Sequence, residues 1–177
     1  MFKRIVVAID GSDQSTAAFN LAASLASPEC EIHLVHSLLV GTSINDLIDI
    51  AKKEGFEKEI ADDLNKSEVL PVAAGTPHGA AMPPVIIANE TLQKFGQLLL
   101  DKRATKVSGK DFGAVHKYIG VATADKDIVE YAKNKSADLI VIGSRGHGKL
   151  KSLVLGSVSQ SVIVEAQCPV LVAKEGA

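Results

Sequence analysis

Five stretches of the chain are continuous or nearly continuous aliphatic runs rich in β-branched residues: RIVVAI (4–9), EIHLVHSLLV (31–40), KYIGVAT (117–123), DLIVIG (138–143) and CPVLVAK (168–174). Runs of this kind, with little polar alternation, predict strands buried on both faces. Between them the period changes. Ala17, Ala18, Leu21, Ala22 and Leu25 recur at helical spacing, and Ser27-Pro28 closes that helix. Ile128, Tyr131 and Ala132 mark one side of a helix over DKDIVEYAKNKS (125–136), and SVSQSVIVEA (157–166) predicts another before the last strand. Strands alternating with helices through short joints predict βαβ units with right-handed crossovers. The expected fold class is α/β: a five-stranded parallel sheet in the order 3-2-1-4-5 with helices on both faces, Rossmann-like or flavodoxin-like.

More chain lies between the second and third strands than one crossover helix needs. Ile44, Leu47, Ile48 and Ala51, followed by Phe56, Ile60 and Leu64, predict a helix or a broken pair around Gly55. Ala88, Leu92, Phe95 and Leu99 predict one more. VLPVAAGTPHGAAMPP (69–84) holds four of the six prolines and can be neither helix nor central strand. It reads as a surface loop or, alternatively, as a mobile lid or partner-docking segment. The expected organisation is a single domain over 1–177 with a divergent helical and Pro-rich insert at about 41–112.

Composition narrows the function classes. Apolar residues make up 46% and charged residues 23%, the balance of a folded protein rather than a disordered one. The net charge is −2 without a basic block, which argues against binding bulk nucleic acid through its phosphates. Aromatics are scarce and Trp is absent, so stacking platforms for single strands are not expected either. No apolar run approaches the roughly 18 residues of a membrane span. MFKRIVVAIDGS is basic and then apolar, but its apolar run ends at Asp10, which predicts a first strand and not a signal peptide. A cytoplasmic location is the expectation. Cys30 and Cys168 are distant in sequence, sit in apolar surroundings and read as reduced core thiols.

The candidate chemistry lies in GSRGHGKLKSLVLGSVSQS (143–161). Gly143 to Lys149 follows a P-loop up to its last letter, where Leu150 replaces the hydroxyl residue that would hold Mg²⁺. A P-loop also needs its helix directly after the lysine, whereas the helix here is expected only at Gly156-Ser157. A second pattern fits throughout: Gly143-x-x-Gly146, nine residues, then Gly156-Ser157. Its first part leaves a strand at the carboxyl end, where open α/β sheets bind ligands. Glycines there let backbone N–H groups approach an anion. Its second part puts Ser157, Val158 and Ser159 in the first turn of a helix, where free amides and the helix dipole favour phosphate. Arg145, Lys149 and Lys151 add positive charge. Ser157-x-x-Gln160 also reads as a capping box, in which Ser157 only starts its helix. Both readings of Ser157 stand at this point. His33 and His36 read as packing residues of the second strand, His78 and His116 as isolated, and His147 as a solvated loop residue or a phosphate contact. No histidine cluster has metal-ligand spacing, so no metal site is assigned.

On RIVVAIDGSDQS, on LVHS at the end of the second strand, and on ADLIVIGSRGHGKLKSLVLGSVSQSVIVEAQCPVLVAK, the chain resembles the ATP-binding branch of the universal stress protein family. In that family the pattern G-x2-G-x9-G-[ST] marks nucleotide binders. The resemblance implies an adenine nucleotide alpha hydrolase-like form of the fold, with ATP and accompanying Mg²⁺ as ligand. It implies that Asp10 accepts hydrogen bonds from the ribose hydroxyls and that backbone at Ala8 and Ser37 meets the adenine edge. Gly143, Arg145, Gly146, Gly156, Ser157, Val158 and Ser159 would contact phosphates. Asp10 keeps a second reading, as a turn-forming carboxylate ahead of the first helix. The resemblance further implies a homodimer through the last strand, an uncharged edge of the kind that tends to pair. Across 41–112 it is weak and lends the insert no function.

The function expected is that of an ATP-binding regulatory protein in a stress response, without catalytic residues. Two rivals differ in class. One is a slow ATP hydrolase or adenylyl-type transferase; the other is an interaction module, with an unidentified protein partner, in which nucleotide is incidental.

Overall fold

The computed structural model describes residues 1–39, 42–66, 68–69, 85–107, 113–146 and 155–174. In chain order these form β1 (Arg4–Ala8), α1 (Asp13–Leu25), β2 (Glu31–Ser37), α2 (Ile44–Glu54), α3 (Glu57–Asn65), β3 (Glu68–Val69), β4 (Val85–Ile86), α4 (Asn89–Lys106), β5 (Val115–Gly120), α5 (Ala124–Asn134), β6 (Leu139–Gly143), α6 (Ser157–Glu165) and β7 (Val170–Ala173). Two compact units divide the chain, one of Met1–Leu38 with Gly96–Ala177 and one of Leu39–Phe95.

The first unit holds a five-stranded parallel sheet in the order β5-β2-β1-β6-β7. Counting only its own strands, this is the expected order 3-2-1-4-5. Ile5, Val6, Val7, Ile32, Leu34, Ile140 and Val141 are fully buried, as uninterrupted aliphatic runs require. Each such side chain contributes about 1.5–3 kcal/mol on burial, which outweighs any single polar contact at the surface. Val6, Val35, Ile140 and Ile142 pack against Ile128 and Ala132 of α5 and Val162 of α6. Helix α1 packs on β1, β6 and β7 and buries Ala18, Phe19 and Ala22. Arg103, buried in the latter part of α4, donates to Thr16 Oγ1 of α1 at 2.9 Å.

Strand ends depart from the hydrophobic pattern where the ladder ends. The apolar run of the second strand continues to Val40, but β2 stops at Ser37, where its partner β5 also stops at Gly120. Strand β5 begins at Val115, earlier than its sequence suggests, because Val115 and His116 pair with Ile32 and His33. Helix α1 starts ahead of its apolar positions because Ser12 caps it, its hydroxyl accepting from Ser15 N at 3.0 Å.

In the second unit the expected broken helix pair is α2 and α3, with Gly55 in the left-handed conformation ending α2. Ser43 caps α2 by accepting from Asp46 N. Phe56 and Phe95 meet edge to face at 5.3 Å, and Lys94 donates to Asp63 at 2.6 Å. Strands β3 and β4 pair antiparallel on either side of the Pro-rich stretch, a pairing two residues long that the sequence pattern did not indicate. Residues 70–84 of that stretch, including His78, lie outside the described residues. Both cysteines are free, and burial pushes each thiol above its ordinary pKa, which suits inert thiols. Among the described residues no helix is long and apolar enough to cross a membrane.

Candidate functional site

The chain passes from β1 to β2 on one side of the sheet and later enters β6 on the other. The carboxyl ends of β1 and β6 therefore flank a topological switch point, where open α/β sheets bind their ligands. Ala8 ends β1 and is followed by Asp10. Gly143 ends β6 and leads to Arg145 and Gly146. These residues converge. Asp10 Oδ1 accepts from Ser12 N at 2.9 Å and fixes the turn into α1. Asp10 Oδ2 lies so near Gly146 that a Cβ there would stand 2.4 Å from it. The turn-forming role of Asp10 is thus observed, and the same carboxylate reaches the loop after β6.

Helix α6 enters the same corner. Gly156 is its N-cap, in extended conformation, and makes no side-chain capping bond. Gly156 N donates to Ser144 O at 2.9 Å, which ties the helix start to the end of β6. Ser157 is therefore the first helical residue and not the cap, so the capping-box reading fails by one position. Gln160 Nε2 instead donates to Leu155 O. The hydroxyl of buried Ser159 donates to Gly143 O at 2.8 Å, so it fastens α6 to β6 and has no proton left for a ligand. What Ser157, Val158 and Ser159 offer in common is backbone N–H. With its cap lacking a side chain, that first turn presents amides and the positive end of a dipole.

The three motif glycines differ in why they are glycine. A Cβ on Gly143 would stand 2.8 Å from Gln14 Cβ and 2.9 Å from Gln14 C, so α1 itself demands the residue. Gly146 yields to the Asp10 carboxylate. Around Gly156 the nearest atoms to a built Cβ are Arg145 Cα at 3.4 Å, Ser144 O at 3.6 Å and Ser159 Oγ at 3.9 Å, ordinary contact distances. Of the three, only Gly156 could carry a Cβ without crowding the described residues.

Ser37 lies one strand away, at the end of β2; its buried hydroxyl has no hydrogen-bond partner among the described residues. His36, beside it, is buried with Nδ1 2.8 Å from Ile9 O, the packing role its pattern predicted. His147, Lys149, Leu150 and Lys151 lie outside the described residues. The start of α6 at Ser157, far past Lys149, is the observation that sets this loop apart from a P-loop. Sequence reasoning missed one group altogether. Glu31, His33 and His116 meet at the opposite end of β2 and β5.

The architecture is thus that of an open α/β protein with an anion-compatible helix start at its switch point. The family model described as "Universal stress protein family" matches residues 1–174, and the chain belongs to that family. A universal stress protein from Thermus aquaticus is 30% identical over 174 residues, covering 98% of this chain and 100% of its own. The solved structure of MJ0577, a universal stress protein of Methanocaldococcus jannaschii, is 25% identical with a TM-score of 0.57, covering 98% of this chain and 96% of that one. A universal stress protein family member from Arabidopsis thaliana, solved with AMP bound, is 18% identical with a TM-score of 0.59, covering 99% and 93%.

Proposed function

We propose that this universal stress protein is a regulatory ATP-binding protein, with the triphosphate held between the loop after β6 and the first turn of α6. The observation that carries the reading is Gly156: an N-cap without a side chain, beside the end of β6, where the described residues do not themselves exclude a Cβ. Phosphate oxygens would take hydrogen bonds from N–H groups of Ser157, Val158 and Ser159 and from the backbone of Gly143, Arg145 and Gly146. The AMP in the Arabidopsis relative supports a nucleotide as the ligand class. Asp10 would accept from ribose hydroxyls, and its anchoring to Ser12 N fixes the carboxylate beforehand. Backbone at Ala8 and Ser37 would border the base, where the Ser37 hydroxyl would find a partner. Mg²⁺, when present, would neutralise phosphate charge and be held mainly by phosphate oxygens and water.

Edge strand β7, only four residues long and uncharged, would pair with a second copy to give a homodimer. Light scattering that finds only monomer removes that part of the reading. The whole is tested by heating protein purified without added ligand and analysing the released nucleotide, then titrating the emptied protein with ATP. Saturable binding of one ATP per chain is the expected result. Failure to bind ATP or AMP refutes the proposal, and catalytic turnover that tracks Asp10 would favour the enzyme reading instead.

A further inference from the structure

The amino-terminal ends of β2 and β5 bring together groups that the nucleotide reading does not use. Glu31 and His33 are two residues apart on β2 and share one face of the sheet. His116, on β5, is the direct register partner of His33. His33 Nε2 is 3.4 Å and His116 Nε2 is 3.9 Å from the same atom, Glu31 Oε2. The three ligand atoms all lie within 4.8 Å of one another. We propose that Glu31, His33 and His116 form a zinc-type divalent metal site that clasps β2 to the edge strand β5.

Three observations carry the proposal beyond the mere cluster. First, His33 is nine-tenths or more buried, and among the described residues its Nε2 meets no group in hydrogen-bond geometry, Glu31 Oε2 standing 3.4 Å away. A buried nitrogen left without a partner costs stability unless a ligand takes it. Second, His33 Nδ1 lies 3.1 Å from the Tyr131 hydroxyl. With Nδ1–H donating to that oxygen, Nε2 carries the lone pair, the arrangement seen at metal-ligating histidines. Burial, then the neighbouring His116, holds His33 below the ordinary imidazole pKa, while Glu31 pulls it the other way. Third, tetrahedral zinc with bonds of about 2.0–2.1 Å separates its ligand atoms by about 3.3 Å, which the His33–Glu31 pair already matches.

The His116 ring stacks on His33 at 4.5 Å with planes 18° apart, so their lone pairs cannot converge as they stand. Metal binding therefore turns the His116 ring out of the stack while His33 stays fixed. His116 and Glu31 are close to half exposed and have that freedom, and the open side leaves a fourth position for water. Two cations work against a metal. Arg4 Nε is 3.8 Å from Glu31, though Arg4 Nη1 is engaged by the carbonyls of Lys135 and Ser136, and Lys135 stands over the Tyr131 ring. Imidazole ligands select zinc, copper or nickel over magnesium or calcium, which sets this site apart from a nucleotide's Mg²⁺.

The test is calorimetric titration of the intact, nucleotide-free protein with zinc chloride, alongside Co²⁺ absorption and thermal melting. One zinc per chain is expected, with a four-coordinate Co²⁺ spectrum and a melting midpoint raised by zinc. His116→Ala and Glu31→Gln, both at partly exposed positions, should abolish the shift while leaving the metal-free protein folded. Tyr131→Phe should weaken binding about tenfold by freeing the His33 ring. No saturable zinc binding, or binding that survives His116→Ala combined with Glu31→Gln, overturns the proposal. Either result leaves the ATP titration untouched, because the nucleotide reading uses the other end of the sheet.

Discussion

Gly156→Val separates the ligand from the fold at one position. Gly156 has φ −65° and ψ 154°, extended backbone that valine adopts readily. Among the described residues no atom lies closer than 3.4 Å to the new Cβ, so none of them must move. At an N-cap, glycine is better than an aliphatic residue by about 1 kcal/mol. Replacing glycine restricts the unfolded chain and returns roughly 0.4–1 kcal/mol. The two effects nearly cancel, and stability should change by less than about 1 kcal/mol. The ligand fares differently. Hydrogen bonds to a charged phosphate contribute about 1.5–3 kcal/mol each, and a valine over the first turn should remove at least two. A loss of about 3 kcal/mol is roughly a hundredfold in Kd. Calorimetry with ATP and thermal melting on the same variant decide the matter. An unchanged Kd in a protein of unchanged stability would remove the α6 amides from the mechanism.

Ser159→Ala should act on the fold instead. It leaves Gly143 O without its donor in a buried corner and should cost about 1–2 kcal/mol in denaturant unfolding. ATP affinity should hold within a few-fold, because only the backbone of Ser159 faces the ligand; a hundredfold loss would show that the hydroxyl binds phosphate. Asp138 gives a pH signature. Backbone N–H groups of Arg4 and Lys3 donate to it at 2.8 and 2.7 Å and hold its pKa below the ordinary carboxylate value. A depressed folded-state pKa contributes stability above the unfolded value, near 3.9, and loses it as pH falls through the folded value. Because the group is exposed, Asp138→Asn should cost only about 1 kcal/mol at neutral pH and nothing in strong acid. A constant difference between the two proteins down to strong acid would disprove the assignment.

The strands were legible because a strand buried on both faces must be apolar at every position, and few other elements impose that. Their ends were not, because a ladder ends where the partner ends. Leu38 and Leu39 are as apolar as any strand residue, yet β5 has stopped at Gly120 by then. The two-residue pair β3–β4 is too short to leave a period. The Glu31–His33–His116 group was missed for a related reason. Strand order alone sets β2 beside β5, but only the register, His33 against His116, brings the two imidazoles into contact. A search for histidines near the starts of neighbouring strands would have raised it, since both lie within three residues of a strand's beginning.

The glycine motif was legible as a pattern, but the structure gives two of its glycines a further reason that the pattern does not show. Read from sequence, all three glycines relieve crowding for an incoming anion. In the structure, Gly143 relieves crowding against Gln14 of α1, and Gly146 against the Asp10 carboxylate. These are demands of the protein on itself, and a protein with no ligand would meet them too. The first two letters of the motif therefore testify to how tightly β1, α1 and β6 meet at the switch point. Gly156 differs, since an alanine there would fit and a serine or aspartate would cap α6 better. A position where the fold would prefer a capping side chain and has none is where a ligand's oxygens would serve as the cap. On that ground the nucleotide reading rests on one residue of the motif rather than three.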